Sequence, residues 1–292
     1  MQAKVNILSN FNFTFGVLLN ILKLSMIKSI SSPTNPFIKN IVHLTDKSRA
    51  RKESSTFVVE GQREILLALK GGYVLKTMVF NPTIVSYNHL LDLYGNVLFD
   101  TEMVEVTNLV YNKIAYREGT EGVIAIFSFK EKKINELILS KTNPLILVAE
   151  APEKPGNIGA LLRTSEAAGV DAFIIANPNT DIFNPNIIRS SVGTLFTNQV
   201  YCASSPEIVD FLKKNKLKIF CATLNKTSES CYEQSYTGPT AIIVGTESTG
   251  LSDEWIKAAD KNIIIPMKGQ IDSINVSVSA AIILFEAVRQ RL

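Results

Sequence analysis

Cysteine, histidine and tryptophan are scarce in this chain of 292 residues, numbering three, two and one. None of Cys202, Cys221 and Cys231 stands in a Cys-x-x-Cys pair, and Cys202 and Cys221 lie in or beside apolar runs. Such cysteines are small buried hydrophobes of a reducing compartment, which points to the cytoplasm. His43 and His89 are far in sequence from every polar glycine loop described below. Two histidines with no supporting motif argue against zinc, so no metal is expected. The Gly-x-Gly-x-x-Gly fingerprint and the Gly-Lys-Ser/Thr of a phosphate loop are both missing, which weakens a Rossmann-type reading. A membrane-length apolar run is missing too. The stretch Phe11–Leu24 is interrupted by Asn20 and Lys23 and falls short of the roughly 20 residues a spanning helix needs. Only Lys4 precedes its apolar core, and Leu24-Ser-Met-Ile is no cleavage site, so a signal peptide is disfavoured. Residues 1–25 read as a translated upstream extension or a disordered tail, with ordinary soluble sequence from Met26. The net charge of +3 is small, but it is compatible with a nucleic-acid partner if the basic residues cluster.

What is present is an alternation of short apolar runs and helical periodicity, 46% hydrophobic and 20% charged overall, as in a globular α/β protein. The length fits two domains of ordinary size. Residues 26–127 predict a small α/β unit in the order α-β-α-β-α-β-α-β. Its helices are expected at Asn35–Leu44, Gln62–Leu69, Tyr87–Tyr94 and Met103–Tyr111, and its strands at Phe57–Val59, Val74–Asn81, Val97–Phe99 and Val123–Phe127. The charged stretch 128–142 reads as a linker with a helical turn. Residues 143–292 carry apolar runs at Leu145–Ala149, Ala172–Ala176, Thr197–Tyr201, Leu217–Thr223, Ala241–Gly245 and Asn262–Ile265. Helices at Ile158–Ala168, Pro185–Val192, Ser205–Asn215 and Asp253–Ala259 fit between them, which implies a parallel sheet. The last helix, Val276–Leu292, is apolar almost all round, including Ile283 and Phe285. Such a helix is buried on more than one side, in its own core or against a second copy of the chain.

Three polar, glycine-bearing loops each follow an apolar run: Glu150–Gly159, Gly245–Gly250 and Pro266–Asn275. Loops at the carboxyl ends of buried parallel strands are where α/β proteins bind ligands. These loops carry Asn, Glu and Ser, with Arg163 on the helix after the first. That inventory suits binding and positioning chemistry rather than metal or thiol chemistry. Plainer roles exist for several of these residues. Asn157 is a candidate helix cap, Ser252 a cap for the helix near Asp253, and Ser273 or Asn275 a cap for the last helix. Capping leaves Glu247 and the group Ser273, Asn275 and Ser277 unexplained.

The segments Asn157–Gly169, Ile243–Ser252 and Ile265–Ala281, in this order and spacing, resemble the three motifs of the SpoU family of RNA ribose 2′-O-methyltransferases, TrmH-like members of the knotted SPOUT superfamily. Ser32–Lys39 through Phe57–Gly61 is similar to the family's amino-terminal substrate-binding domain, an L30-like fold. The resemblance covers about residues 27–292. It departs from the pattern at Ser248-Thr249, where a glycine usually follows the motif-two glutamate. It implies a trefoil-knotted carboxyl-terminal domain that binds S-adenosylmethionine, with contacts from Thr223, Leu224, Gly245, Ile265, Met267 and Ile274. Arg163 matches the family's catalytic arginine. An arginine stays protonated, so positioning of phosphate and ribose is favoured over proton abstraction. By the same resemblance Asn275 and Ser273 orient the hydroxyl or the cofactor's carboxylate end, and Glu247 holds Arg163 or its loop. Asn157 completes the expected catalytic set.

Lys39, Lys47, Arg49, Arg51, Lys52 and Arg63 lie in one stretch and are the expected RNA contacts, making binding salt-dependent. Ribosomal RNA is favoured over transfer RNA as substrate, and a homodimer is expected, as is usual in the family. The rival readings are a non-catalytic RNA-binding protein that keeps the fold and a Rossmann-type nucleotide-binding enzyme. Cofactor binding followed by methyl incorporation into RNA separates the three.

Overall fold

The computed structural model describes residues 27–116, 121–246 and 249–292. The expectations for residues 1–25 and for Glu247 fall outside the described residues. The described chain divides into two compact units, one of residues 27–66 and 74–128, the other of residues 67–73 and 129–292.

The first unit holds a five-stranded sheet in the order β1-β4-β3-β5-β2. Its strands are β1 (Lys28–Ile30), β2 (Thr56–Glu60), β3 (Val74–Phe80), β4 (Glu102–Val106) and β5 (Val123–Ser128). β4 runs parallel to both β1 and β3, and β5 is antiparallel to β3 and β2. Helices α1 (Pro36–Asp46), α2 (Ser48–Ser54), α3 (Gln62–Lys70), α4 (Tyr87–Tyr94) and α5 (Asn108–Ile114) connect these strands. Asn35 caps α1, its side chain accepting from the Phe37 N–H at 2.8 Å, and Pro36 supplies a first helical residue that needs no donor.

Two expected elements move. Val97–Phe99 is part of a 3-10 turn over Gly95–Asp100, and the strand lies at Glu102–Val106, where a helix was expected to begin. Thr101 closes the turn by donating its N–H to Leu98 and its hydroxyl to Val97, at 3.2 and 2.8 Å. Met103, Val104 and Val106 are then buried between two parallel neighbours. Pairing on both edges overrides the local helical spacing. β1 carries no sequence signal of its own.

The second unit is a seven-stranded, all-parallel sheet in the order β10-β12-β9-β11-β6-β7-β8. Its strands are β6 (Leu145–Glu150), β7 (Ala172–Ala176), β8 (Val200–Ala203), β9 (Lys218–Ala222), β10 (Glu229–Ser230), β11 (Thr240–Val244) and β12 (Lys261–Ile264). Its helices are α6 (Pro155–Ala168), α7 (Pro185–Ser190), α8 (Thr194–Thr197), α9 (Ser205–Lys214), α10 (Asp253–Ala258) and α11 (Val276–Arg289). Five of the six strands expected here lie within about one residue of their apolar runs. Thr197–Tyr201 is the exception. Thr194–Thr197 is helical, closed by Asn198, whose amide donates to Thr194 O at 2.7 Å and Leu162 O at 3.2 Å. The 128–142 stretch forms a 3-10 turn at Ile134–Glu136, and Ile134 and Leu137 are buried in the core of this unit. That stretch is therefore part of the fold as well as a connector.

The C-terminus is tied down by Arg291. Its guanidinium donates to Tyr236 O, Gly238 O and Asn143 O at 2.8, 2.7 and 2.7 Å. Beside it Gln290 accepts from the Tyr236 N–H and donates to Gln234 O, both at 2.9 Å. The charged hydrogen bonds from Arg291 fix the segments leading into β11 and β6. Arg291→Ala should cost roughly 2–4 kcal/mol, since three acceptors lose one shared donor. That loss lowers the melting temperature by about 5–10 °C, measurable by near-ultraviolet circular dichroism. A change below about 1 °C would show the clamp to be dispensable.

Candidate functional site

The register places the carboxyl ends of four adjacent strands in line. Val244 of β11 is opposite Ala149 of β6 on one side and Ala222 of β9 on the other, and Ala222 is opposite Ile263 of β12. The three polar loops of the sequence, and the 223–228 turn after β9, therefore leave the sheet side by side. The N–H of Thr223 donates to Ile263 O at 3.0 Å and its carbonyl accepts from Ser228 Oγ at 2.8 Å, so this turn is fixed to β12. Leu224 beyond it is exposed, whereas Ile265, Met267 and Ile274 are half-buried. Aliphatic surface at the carboxyl ends of these strands, with tight backbone beside it, suits a ligand bound through apolar and main-chain contacts.

Gly245 explains the glycine of the second loop. A Cβ there would lie 2.3 Å from the Gly250 carbonyl carbon. Thr246 and Gly250 exchange main-chain hydrogen bonds at 3.1 and 3.2 Å, and Gly250 has φ of +69°. Gly250 therefore lies directly against Gly245, and only a residue without a side chain permits that approach. Gly159 has a different reason. Its Cβ would collide with Ser190, 2.0 Å from Oγ, so this glycine serves the packing of α6 on α7 rather than an anion-binding turn.

Helix α6 begins at Pro155 with Lys154 as its N-cap, so Asn157 is the third helical residue and not the cap. Proline at the first position sets the helix start two residues earlier than the Gly-Asn turn suggested. This frees the Asn157 side chain for a longer reach. Its Oδ1 accepts from Asn275 Nδ2 at 3.2 Å, across 118 residues of chain. Asn275 is the N-cap of α11, its Oδ1 accepting from the Ser277 N–H at 3.0 Å and from Ser277 Oγ at 2.6 Å. One asparagine thus starts the last helix and joins the third motif to the first. Ser273 has no capping part; its hydroxyl donates to Asp272 Oδ1 at 3.3 Å.

Arg163 is exposed on α6, and its side chain makes no hydrogen bond or ion pair with another described residue. Ser252 occupies the N-cap position of α10 without bonding that helix through its side chain. Its hydroxyl and its N–H both donate to the carboxylate of Glu150, at 2.7 and 2.8 Å. Glu150 was not singled out by its residue type, because a glutamate closing an apolar strand reads as the first residue of a loop. It is buried. A polar residue directly after five apolar ones in a strand buried throughout was the available signal.

The basic stretch of the first unit separates into two kinds. Lys39, Lys47, Lys52 and Arg63 are exposed, as is Arg49, which pairs with Glu53 at 2.7 Å. Arg51 is only 2% exposed, and its guanidinium donates to Leu44 O and Thr45 O at 2.7 and 3.0 Å. It satisfies carbonyls in the last turn of α1 and is thereby removed from the surface set. Among the described residues no group of three or more His, Cys, Asp or Glu could hold a metal ion, and no helix is long and apolar enough to cross a membrane.

The family model of the SpoU rRNA methylases matches residues 144–285, and that of an MRM3-like substrate-binding domain matches residues 35–125. The 23S rRNA (guanosine(2553)-2′-O)-methyltransferase RlmP of Bacillus subtilis is 29% identical over 262 residues, 88% of this chain and 98% of the relative. The tRNA (guanosine(18)-2′-O)-methyltransferase of Thermus thermophilus is 36% identical over 179 residues, 60% of this chain and 87% of the relative. An AdoMet-bound rRNA methyltransferase from Sinorhizobium meliloti superposes with a TM-score of 0.83 at 26% identity, covering 91% of this chain and 99% of its own.

Proposed function

The chain belongs to the SpoU rRNA methylase family and is an S-adenosylmethionine-dependent RNA ribose 2′-O-methyltransferase; on that premise we propose that it modifies ribosomal RNA, in the cytoplasm and as a homodimer, with Arg163 as the residue that positions the RNA. The Asn157–Asn275 hydrogen bond carries this reading. It brings the first and third motifs together at the strand ends where Gly245 and Thr223 also lie. The scarcity of cysteine, three in 292 residues, agrees with a cytoplasmic location.

The cofactor supplies an activated methyl group on a sulfonium. The difficulty is the weak nucleophile, which must be held about 3–3.5 Å from the methyl carbon and in line with the bond that breaks. Thr223, Leu224, Gly245, Ile265, Met267 and Ile274 would hold the cofactor. Arg163 would grip a phosphate next to the target ribose with two parallel N–H donors and offset charge on the 2′-oxygen. Asn157, Ser273 and Asn275 would orient the hydroxyl, and Glu247 would fix the arginine. A trefoil knot remains what the family resemblance implies; the packing of α11 on α6 after β12 is compatible with it.

Lys39, Lys47, Arg49, Lys52 and Arg63 would contact RNA phosphates and make affinity fall steeply with salt. Ribosomal RNA is preferred over transfer RNA because the rRNA-modifying relative matches 88% of the chain, the tRNA-modifying one only 60%. The test is to incubate the protein with labelled S-adenosylmethionine and separated rRNA and tRNA from a strain lacking the gene, then map protected 2′-hydroxyls. One new protected ribose in large-subunit rRNA is expected. Label in tRNA alone would overturn the substrate assignment, and no label in either would favour the non-catalytic reading.

A further inference from the structure

We propose that Glu150 is a positioning residue for methyl-donor binding, holding Gly250–Ser252 beside Gly245 through Ser252; this rests on the reading of Gly245 as part of the cofactor site. Glu150 closes β6 and is buried. A carboxylate in such a place is costly unless its oxygens are taken up by donors. Oε2 accepts from the Ser252 N–H at 2.8 Å, and Oε1 accepts from Ser252 Oγ at 2.7 Å and, more weakly, from Ser205 Oγ at 3.5 Å.

Ser205 extends the arrangement. Its hydroxyl accepts from Trp255 Nε1 and from Asn177 Nδ2, both at 2.9 Å, and its N–H donates to Asn177 Oδ1 at 3.1 Å. Trp255, the single tryptophan of the chain, is fully buried on α10 and accepts at its carbonyl from Cys221 Sγ at 3.4 Å. Burial, reinforced by Glu150 and Asp260, pushes that thiol up to about 12, so it stays a donor. The segment Ser252–Trp255 is therefore held at both ends, by Glu150 directly and by Ser205. Gly245, seven residues before Ser252, is packed against Gly250. Thr246 and Gly250 also exchange main-chain hydrogen bonds at 3.1 and 3.2 Å, so holding Ser252 holds Gly250 against the strand end at Gly245, and a site held in place beforehand spares part of the ordering cost of binding.

The experiment measures S-adenosylmethionine affinity by calorimetry and by Trp255 emission, with kcat and KM for the cofactor and the melting temperature of each variant. Glu150→Ala should raise Kd and KM at least tenfold while kcat at saturating cofactor stays within threefold. Glu150→Gln should return Kd to within threefold of the parent. Its amide oxygen can still accept from the Ser252 N–H, and the Ser252 hydroxyl can turn to accept from the amide. Ser252→Ala alters one exposed side chain and is the variant to read if Glu150→Ala fails to fold; it should raise Kd about threefold. A merely structural role would lower the melting temperature and leave the Kd of the folded protein alone. Kd within twofold of the parent in folded Glu150→Ala, or in Ser252→Ala where the former does not fold, overturns the proposal. Failure of the unsubstituted protein to bind S-adenosylmethionine overturns the cofactor reading, and this inference with it.

Discussion

Arg163→Ala is expected to lower methyl transfer at least about 100-fold while S-adenosylmethionine affinity changes less than threefold. The size follows from the loss of one pre-positioned charge at a reacting centre, about 3 kcal/mol or more, where each 1.36 kcal/mol is tenfold in rate. Two observations motivate the choice. Arg163 follows Asn157 on α6, whose first turns are joined to the start of α11. Its side chain is also exposed, with no hydrogen bond to another described residue, so no structural task of that side chain competes with RNA. Arg163→Lys should recover less than a tenth of the lost rate, because a point charge does not reproduce the planar fork. Single-turnover transfer with saturating cofactor separates chemistry from binding. Turnover of Arg163→Ala within threefold of the parent would take Arg163 out of the site.

Phe285→Glu is expected to convert the proposed homodimer into a monomer at micromolar concentration. Along α11, Ala280, Ile283, Leu284 and Ala287 are buried within the subunit, while Val278 and Phe285 are each 47% exposed with Ile282 half-buried between them. Val278, Ile282 and Phe285 recur at helical spacing on one face, and an apolar stripe of that kind marks an interface. In a two-fold dimer the substitution enters twice. An unpaired buried charge costs about 3 kcal/mol or more, so the dissociation constant should rise over 100-fold. Ile283 does not serve as a probe, since it is fully buried in its own subunit and a charge there unfolds the domain. Sedimentation velocity of the parent protein is the control. A stable, active monomer at micromolar concentration would remove the dimer from the proposal.

Most of the second unit was legible in the sequence because its strands are buried on both faces. A parallel strand covered by helices on each side must be a short, unbroken apolar run, and Leu145–Ala149 or Ala172–Ala176 has no other comfortable place. The three motif loops were legible for the same reason, since each interrupts such a run with polar and glycine residues. The first unit was less so. Val97–Phe99 is the more continuous apolar run and Met103–Tyr111 the one with helical spacing, and only pairing with β1 and β3 made Glu102–Val106 the strand.

What the residues determined by themselves was the α/β class, the order of most elements and the loops that could carry chemistry. Those properties follow from local periodicity and from where glycine and proline permit a turn. Tertiary structure decided which polar groups meet. Nothing local distinguishes Arg51, which the fold draws inward to the carbonyls of α1, from Lys52, which it leaves in water. Nothing local announces that Glu150 will hold Ser252 or that Asn275 will reach Asn157, 102 and 118 residues away along the chain. A hydrogen bond is made between groups brought within about 3 Å, and in a parallel sheet the groups that share one edge come from the ends of strands far apart in sequence.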